Sequence, residues 1–88
     1  MLYFTRMSSF NVHRKEVLDS SNDIAHRYSH ARSCLNKVAN FTGLTRSELI
    51  LKAEKVTGVN LDINTDEEQL LKGFQYLVTL RESRLKIL

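Results

Sequence analysis

The chain has no proline, no tryptophan, three glycines and a single cysteine in 88 residues. Each shortage excludes something. Proline and glycine are the residues that most disfavour helix interiors, so long stretches are left free to be helical. Cys34 stands alone and can form no disulfide within the chain, which leads us to expect a cytoplasmic location. No apolar run approaches the roughly 20 residues that cross a bilayer. Met1-Leu2-Tyr3-Phe4 is too short, and too soon followed by polar residues, for a signal segment. No membrane partner is therefore expected. A glycine-rich phosphate cradle and a G-x-S-x-G elbow are also missing, and no enzyme is expected.

What is present is ordinary for a folded domain: 42% hydrophobic and 26% charged residues, outside the range of intrinsically disordered chains. A chain this short buries a small core, and a homodimer is one remedy for that. We expect one helical domain over residues 1–88, with residues 1–9 flexible or a short strand. The net charge of +3 is unevenly placed. Residues 1–41 carry six basic side chains against three acidic ones, whereas residues 42–88 carry seven of each. A basic half attracts an anionic partner such as nucleic acid.

The elements follow from periodicity. Phe10 and Val12 alternate with Ser9 and Asn11, which predicts a short extended segment. Val17, Ile24, Tyr28, Ala31, Leu35 and Val38 then recur at helical spacing and predict one long amphipathic helix ending near Asn40 or Phe41. Ser20, Ser21 and Asn22 are mediocre helix formers and mark a place where it can break. Thr45 and Glu48 form a capping box, flanked by a Leu44/Leu49 hydrophobic staple, and Gly58 is placed to stop a short second helix. That helix would bury Leu49, Ile50, Ala53 and Val56. Val59, Leu61 and Ile63 predict an extended connector. A second capping box at Thr65 and Glu68 opens a long last helix with Leu70, Leu71, Phe74, Leu77, Val78 and Leu85 on its apolar face. Phe41 and Phe74 read as core. The expected fold is thus mostly all-α: three helices, the first and last long, the middle one short and capped, with a short N-terminal strand.

Three constellations bear on chemistry. His26, His30 and Cys34 are spaced i, i+4, i+8, but the outer two lie about 12 Å apart along a helix and cannot share one ion. A His pair at i, i+4 can hold zinc, yet no fourth ligand is evident, so neither metal nor cofactor is expected. Asp62-Ile63-Asn64-Thr65-Asp66 begins like a calcium loop but has Glu67 and Gly73 where the loop requires Gly and Glu. A helix cap explains those residues better. Cys34 and His30, one turn apart, have the residue types of a nucleophile and base, but such pairs in an amphipathic helix are mostly coincidental.

The stretch from Leu35 to Ala53, LNKVANFTGLTRSELILKA, resembles the helix–turn–helix half of ribbon-helix-helix DNA-binding proteins, and Ser9 to Asp19 resembles the strand that leads into their first helix. The chain departs from that pattern in having 25 residues between Glu16 and Thr42, far more than the family's first helix. The resemblance implies a dimer whose two-stranded ribbon enters the major groove, with Phe10 and Val12 inward and Ser9, Asn11 and His13 outward. Backbone amides near Thr45 would meet phosphate. Together with the basic first half, it implies a dimeric DNA-binding transcription regulator. Its candidate nucleic-acid contacts are Asn11, His13, Arg14, Lys15, Arg27, Arg32, Lys37 and Arg46. The alternative is a protein-binding module, an inhibitor, immunity-type or adaptor protein, that offers a helical face to a single partner.

Overall fold

A computed structural model describes residues 2–87, with side chains described for residues 10–85. Among these the chain folds as four helices: α1 (Leu2–Leu18), α2 (Ile24–Thr42), α3 (Arg46–Thr57) and α4 (Glu67–Ile87). The all-α expectation holds. The three-helix count and the N-terminal strand do not.

The strand fails because a period of seven wins over a period of two. Phe10 and Val17 fall on one face of α1 and both are buried, whereas Val12, the strand partner of Phe10, is 55% exposed. The predicted long helix is two, because Asp19 to Asp23 offer the backbone better partners than a helix would. Asp19 Oδ1 accepts from the amide (3.0 Å) and hydroxyl (2.6 Å) of Ser21, and the Asn22 amide closes a turn onto the Asp19 carbonyl at 3.1 Å. The last carbonyls of a helix lack partners within it. Here Asn22 Nδ2 donates to the Glu16 carbonyl (3.1 Å), and Arg27 Nε donates to that of Val17 (2.7 Å).

The other helix ends follow the sequence more closely. Gly43 adopts φ +79°, so that its own amide and that of Leu44 return to the carbonyls of Asn40 and Ala39 and close α2. The Thr45/Glu48 box is complete: the Glu48 amide donates to Thr45 Oγ1 (3.1 Å) and the Thr45 amide to Glu48 Oε1 (2.9 Å). The second box is displaced by one residue. Asp66 caps α4 through the Gln69 amide (2.9 Å), while Thr65 Oγ1 is hydrogen-bonded to the Tyr28 hydroxyl (2.7 Å).

Helix α2 lies at the centre and packs against each of the others, and α3 also packs on α4. Tyr28, Ala31, Leu35 and Val38 of the predicted stripe are buried, together with Cys34 and Ala39. Leu49, Ile50 and Ala53 join them from α3, and Leu70, Phe74, Leu77 and Val78 from α4. Ile63 stays outside at 57% exposure, because a turn at Asn60–Ile63 ends the alternation after Leu61, and Val56, expected on the buried face of α3, is 64% exposed. Gly73 lets α4 approach the connector: a Cβ there would sit 2.9 Å from Leu61 Cδ2 and 3.0 Å from Val59 Cγ1. No helix among the described residues is long and apolar enough to cross a membrane.

Candidate functional site

The eight residues nominated from sequence divide into two sets. Arg27, Arg32 and Arg46 are engaged within the chain. Arg27 is buried, and besides its bond to Val17 it reaches Glu67 Oε2 at 2.8 Å. Arg32 donates to the Leu61 carbonyl (3.1 Å) and to Asn64 Oδ1 (2.8 Å), tying α2 to the connector. Arg46 binds the Asp62 carboxylate through both terminal nitrogens and Asn36 Oδ1 through Nε. That hydrogen-bonded guanidinium holds the Asp62 carboxyl below its ordinary range. These three cations act as struts.

The second set lies on or beside α1. Asn11 and Lys15 are exposed, Arg14 is half-buried, and the three line a shallow depression with Leu18. His13 faces α2. Lys37, on α2, is exposed and has no ion-pair partner among the described residues.

Lys37 belongs to an open groove of about 620 Å³ between the middle of α1, the C-terminal half of α2 and the C-terminal part of α4. Its floor and walls are Phe10, Val38, Phe41 and Leu85, and its polar rim is Lys37, Asn40 and Arg81. Phe41, expected in the core, is half-buried and forms a wall. The Arg81 guanidinium lies 4.2 Å from the centroid of the Phe10 ring, a cation–π contact that fixes one rim cation above the apolar floor. Sequence reasoning missed Phe10, Phe41, Arg81 and Leu85 as a group because they come from three separate helices.

The polar seam between α1 and α2 is a second assembly. His13 Nδ1 and His30 Nδ1 are in hydrogen-bond contact at 2.7 Å, His26 and His30 meet edge to face with centroids 4.4 Å apart, and Glu16 Oε2 is 3.5 Å from His26 Nε2. Burial, followed by the charges of His30 and Lys37, lowers the pKa of His13 below the usual imidazole value. Asn22 Nδ2 donates to Glu16 Oε2 at 2.6 Å and steadies the carboxylate. Two spacings point to this seam once both helices are known, His13-x-x-Glu16 and His26-x-x-x-His30.

Cys34 stands apart from it. Its thiol is buried under Phe10, whose carbonyl accepts from Sγ at 3.9 Å, and burial pushes its pKa up to about 12. A thiol so held is a small apolar core group with almost no nucleophilic thiolate at neutral pH.

Comparison with protein-family models, with curated proteins and with solved structures finds no match to the chain.

Proposed function

We propose that the chain is a non-enzymatic helical binding protein whose groove takes an acidic, amphipathic segment of a protein partner. One observation carries this reading: an open apolar lining of Phe10, Phe41 and Leu85 lies under a rim whose charges, Lys37 and Arg81, are both positive. An amphipathic helix laid into such a groove buries apolar anchors at i, i+3 or i+4 and i+7, and carboxylates on its flanks meet the rim. Engagement of Arg27, Arg32 and Arg46 inside the fold weighs in the same direction, since it removes three of the cations assigned to a nucleic acid.

Duplex DNA is the second reading, favoured by the depression that gathers Asn11, Arg14 and Lys15 on α1. In that reading the protein is a dimeric regulator, and these side chains with Lys37 meet phosphate. The ribbon implied by the family resemblance has no counterpart, because residues 9–12 lie within α1. Contact would therefore run through a helix.

Backbone chemical-shift titration of the full chain separates the two. An acidic amphipathic helical peptide is expected to move the signals of Phe10, Phe41 and Leu85, and Lys37→Glu is expected to weaken its binding. A peptide response absent from the groove overturns the first reading. Duplex DNA that instead moves Arg14 and Lys15, with affinity falling steeply with added salt, establishes the second. Sedimentation of the same samples reports whether a homodimer forms.

A further inference from the structure

We propose that Glu16, His26 and His30 form a binding site for a divalent first-row transition ion, for which Zn²⁺ is the probe, and that His13 positions His30 for it. The inference is independent of the groove and of its partner. One ligand atom from each of the three residues lies within 4.8 Å of the others. Around tetrahedral zinc with bonds of about 2.0–2.1 Å, donor atoms stand about 3.3 Å apart. The 3.5 Å between Glu16 Oε2 and His26 Nε2 is already close to that edge. The three side chains are exposed or half-buried, so small torsional adjustments can bring in the remaining separations.

The chemistry of the donor set fits. Two neutral imidazoles and one carboxylate are a recurrent zinc ligand set, and three protein ligands leave a fourth position for water. Two helices supply them: His26 and His30 share a face of α2 at i, i+4, and Glu16 comes from the last turns of α1. Metal-ligating histidines commonly donate their second N–H to a neighbouring acceptor, which fixes tautomer and ring orientation. The 2.7 Å contact between the Nδ1 atoms of His13 and His30 requires one N–H and one bare nitrogen. With the proton on His30, its Nδ1–H donates to His13 and its Nε2 presents a free lone pair. His13 does not belong to the group whose ligand atoms lie within 4.8 Å of one another, and its Nδ1 is taken up by the contact with His30 Nδ1, which assigns His13 to positioning. Asn22 does the corresponding work for Glu16 through the 2.6 Å bond to Oε2. A bound ion would clip α1 to α2 across the Asp19–Asp23 break. It would thereby hold the wall of the groove that carries Phe10.

The test is calorimetric titration of the full-length, metal-free chain with Zn²⁺, together with the visible ligand-field spectrum of its Co²⁺ complex. The expected result is one ion per chain, bound with micromolar affinity or better, and a Co²⁺ spectrum of four-coordinate type. His13→Ala is expected to weaken Zn²⁺ roughly 10- to 100-fold, as loss of a positioning partner does. His13→Asn, whose amide oxygen can accept from His30, is expected to restore part of that affinity together with the Co²⁺ spectrum. Glu16→Ala and His26→Asn remove ligands at solvent-accessible positions and are expected to weaken binding more than His13→Ala, with unchanged far-UV circular dichroism. The proposal is overturned by the absence of saturable one-to-one binding to the wild-type chain. It is equally overturned by wild-type affinity in Glu16→Ala and His26→Asn, which would place the ion elsewhere.

Discussion

Arg27 was nominated as a contact for an anionic partner, and its position in the fold makes it a test of the architecture instead. The side chain is 4% exposed and joins three helices: it lies on α2, donates to the Val17 carbonyl in the last turn of α1, and meets Glu67 in the first turn of α4. Consider Arg27→Met, which keeps most of the apolar stem and removes the guanidinium. A charge-assisted hydrogen bond to a buried carbonyl contributes about 1.5–3 kcal/mol. The cation also sits at the negative end of the α1 dipole, a further contribution of about 0.3–1 kcal/mol. The Glu67 carboxylate is 54% exposed, so it rehydrates when its partner leaves, and that pair deserves no more than about 0.2–1 kcal/mol. The expected loss for Arg27→Met is about 3 kcal/mol, a large part of the roughly 5–15 kcal/mol that stabilises a domain.

Glu67→Gln should cost less than about 1 kcal/mol, because the bond to Val17 survives. Urea denaturation followed by circular dichroism measures both, and the two midpoints should differ severalfold in their displacement. In thermal melts Arg27→Met should lower Tm by more than about 10 °C. Equal losses for the two variants would refute the reasoning, since they would make the exposed ion pair the dominant interaction. A loss below about 1 kcal/mol for Arg27→Met would refute it from the other side, by showing that water replaces the guanidinium at Val17.

Three further outcomes follow from the same geometry. Cys34 should resist thiol reagents at neutral pH in the folded chain and react at the rate of a free thiol in denaturant, because burial raises its pKa to about 12 and covers the sulfur. Gly73→Ala should destabilise by about 1 kcal/mol in urea titration: the gain of about 1 kcal/mol in helix propensity is outweighed by a cost of up to about 3 kcal/mol for a Cβ 3.0 Å from the stiff, buried Val59. Glu48 and Asp62 have pKa values held low by the Thr45 backbone amide and by Arg46 respectively. Their contribution is complete above the ordinary carboxylate range near pH 4 and is lost as pH falls through the lowered folded values, so the double variant Glu48→Gln, Asp62→Asn should show a shallower acid limb in stability against pH.

Features decided within one turn of chain were legible. The Thr45/Glu48 box, the Gly58 stop and the Tyr28, Ala31, Leu35 and Val38 stripe of α2 follow from near-neighbour spacing, and each stands where its residues place it. Features decided by tertiary partners were not. The Thr65/Glu68 box has the right letters, yet Thr65 is drawn to the Tyr28 hydroxyl, and Asp66 takes the cap. Phe10 and Val12 alternate like a strand, but a two-residue alternation is short and is readily overridden by burial seven residues apart. The basic residues were the least legible. Charge alone does not say whether an arginine faces solvent or a helix end, and three of those nominated close contacts within the fold.

The α1–α2 seam explains how a break that the sequence marks only as an option conceals a cluster of polar side chains. In a continuous helix Glu16 and His26 are ten residues apart, about 15 Å along the axis, and no ion spans that distance. His13 and His30 are farther still, at about 25 Å. The turn at Asp19–Asn22 reverses the chain, and the first pair closes to 3.5 Å and the second to 2.7 Å. The same reversal accounts for the residues that make it. Asn22, a poor helix former in the sequence, is the side chain that caps the Glu16 carbonyl and holds the Glu16 carboxylate. The break is thus part of the seam's construction, and a substitution that repaired it into helix would part His13 and Glu16 from His26 and His30.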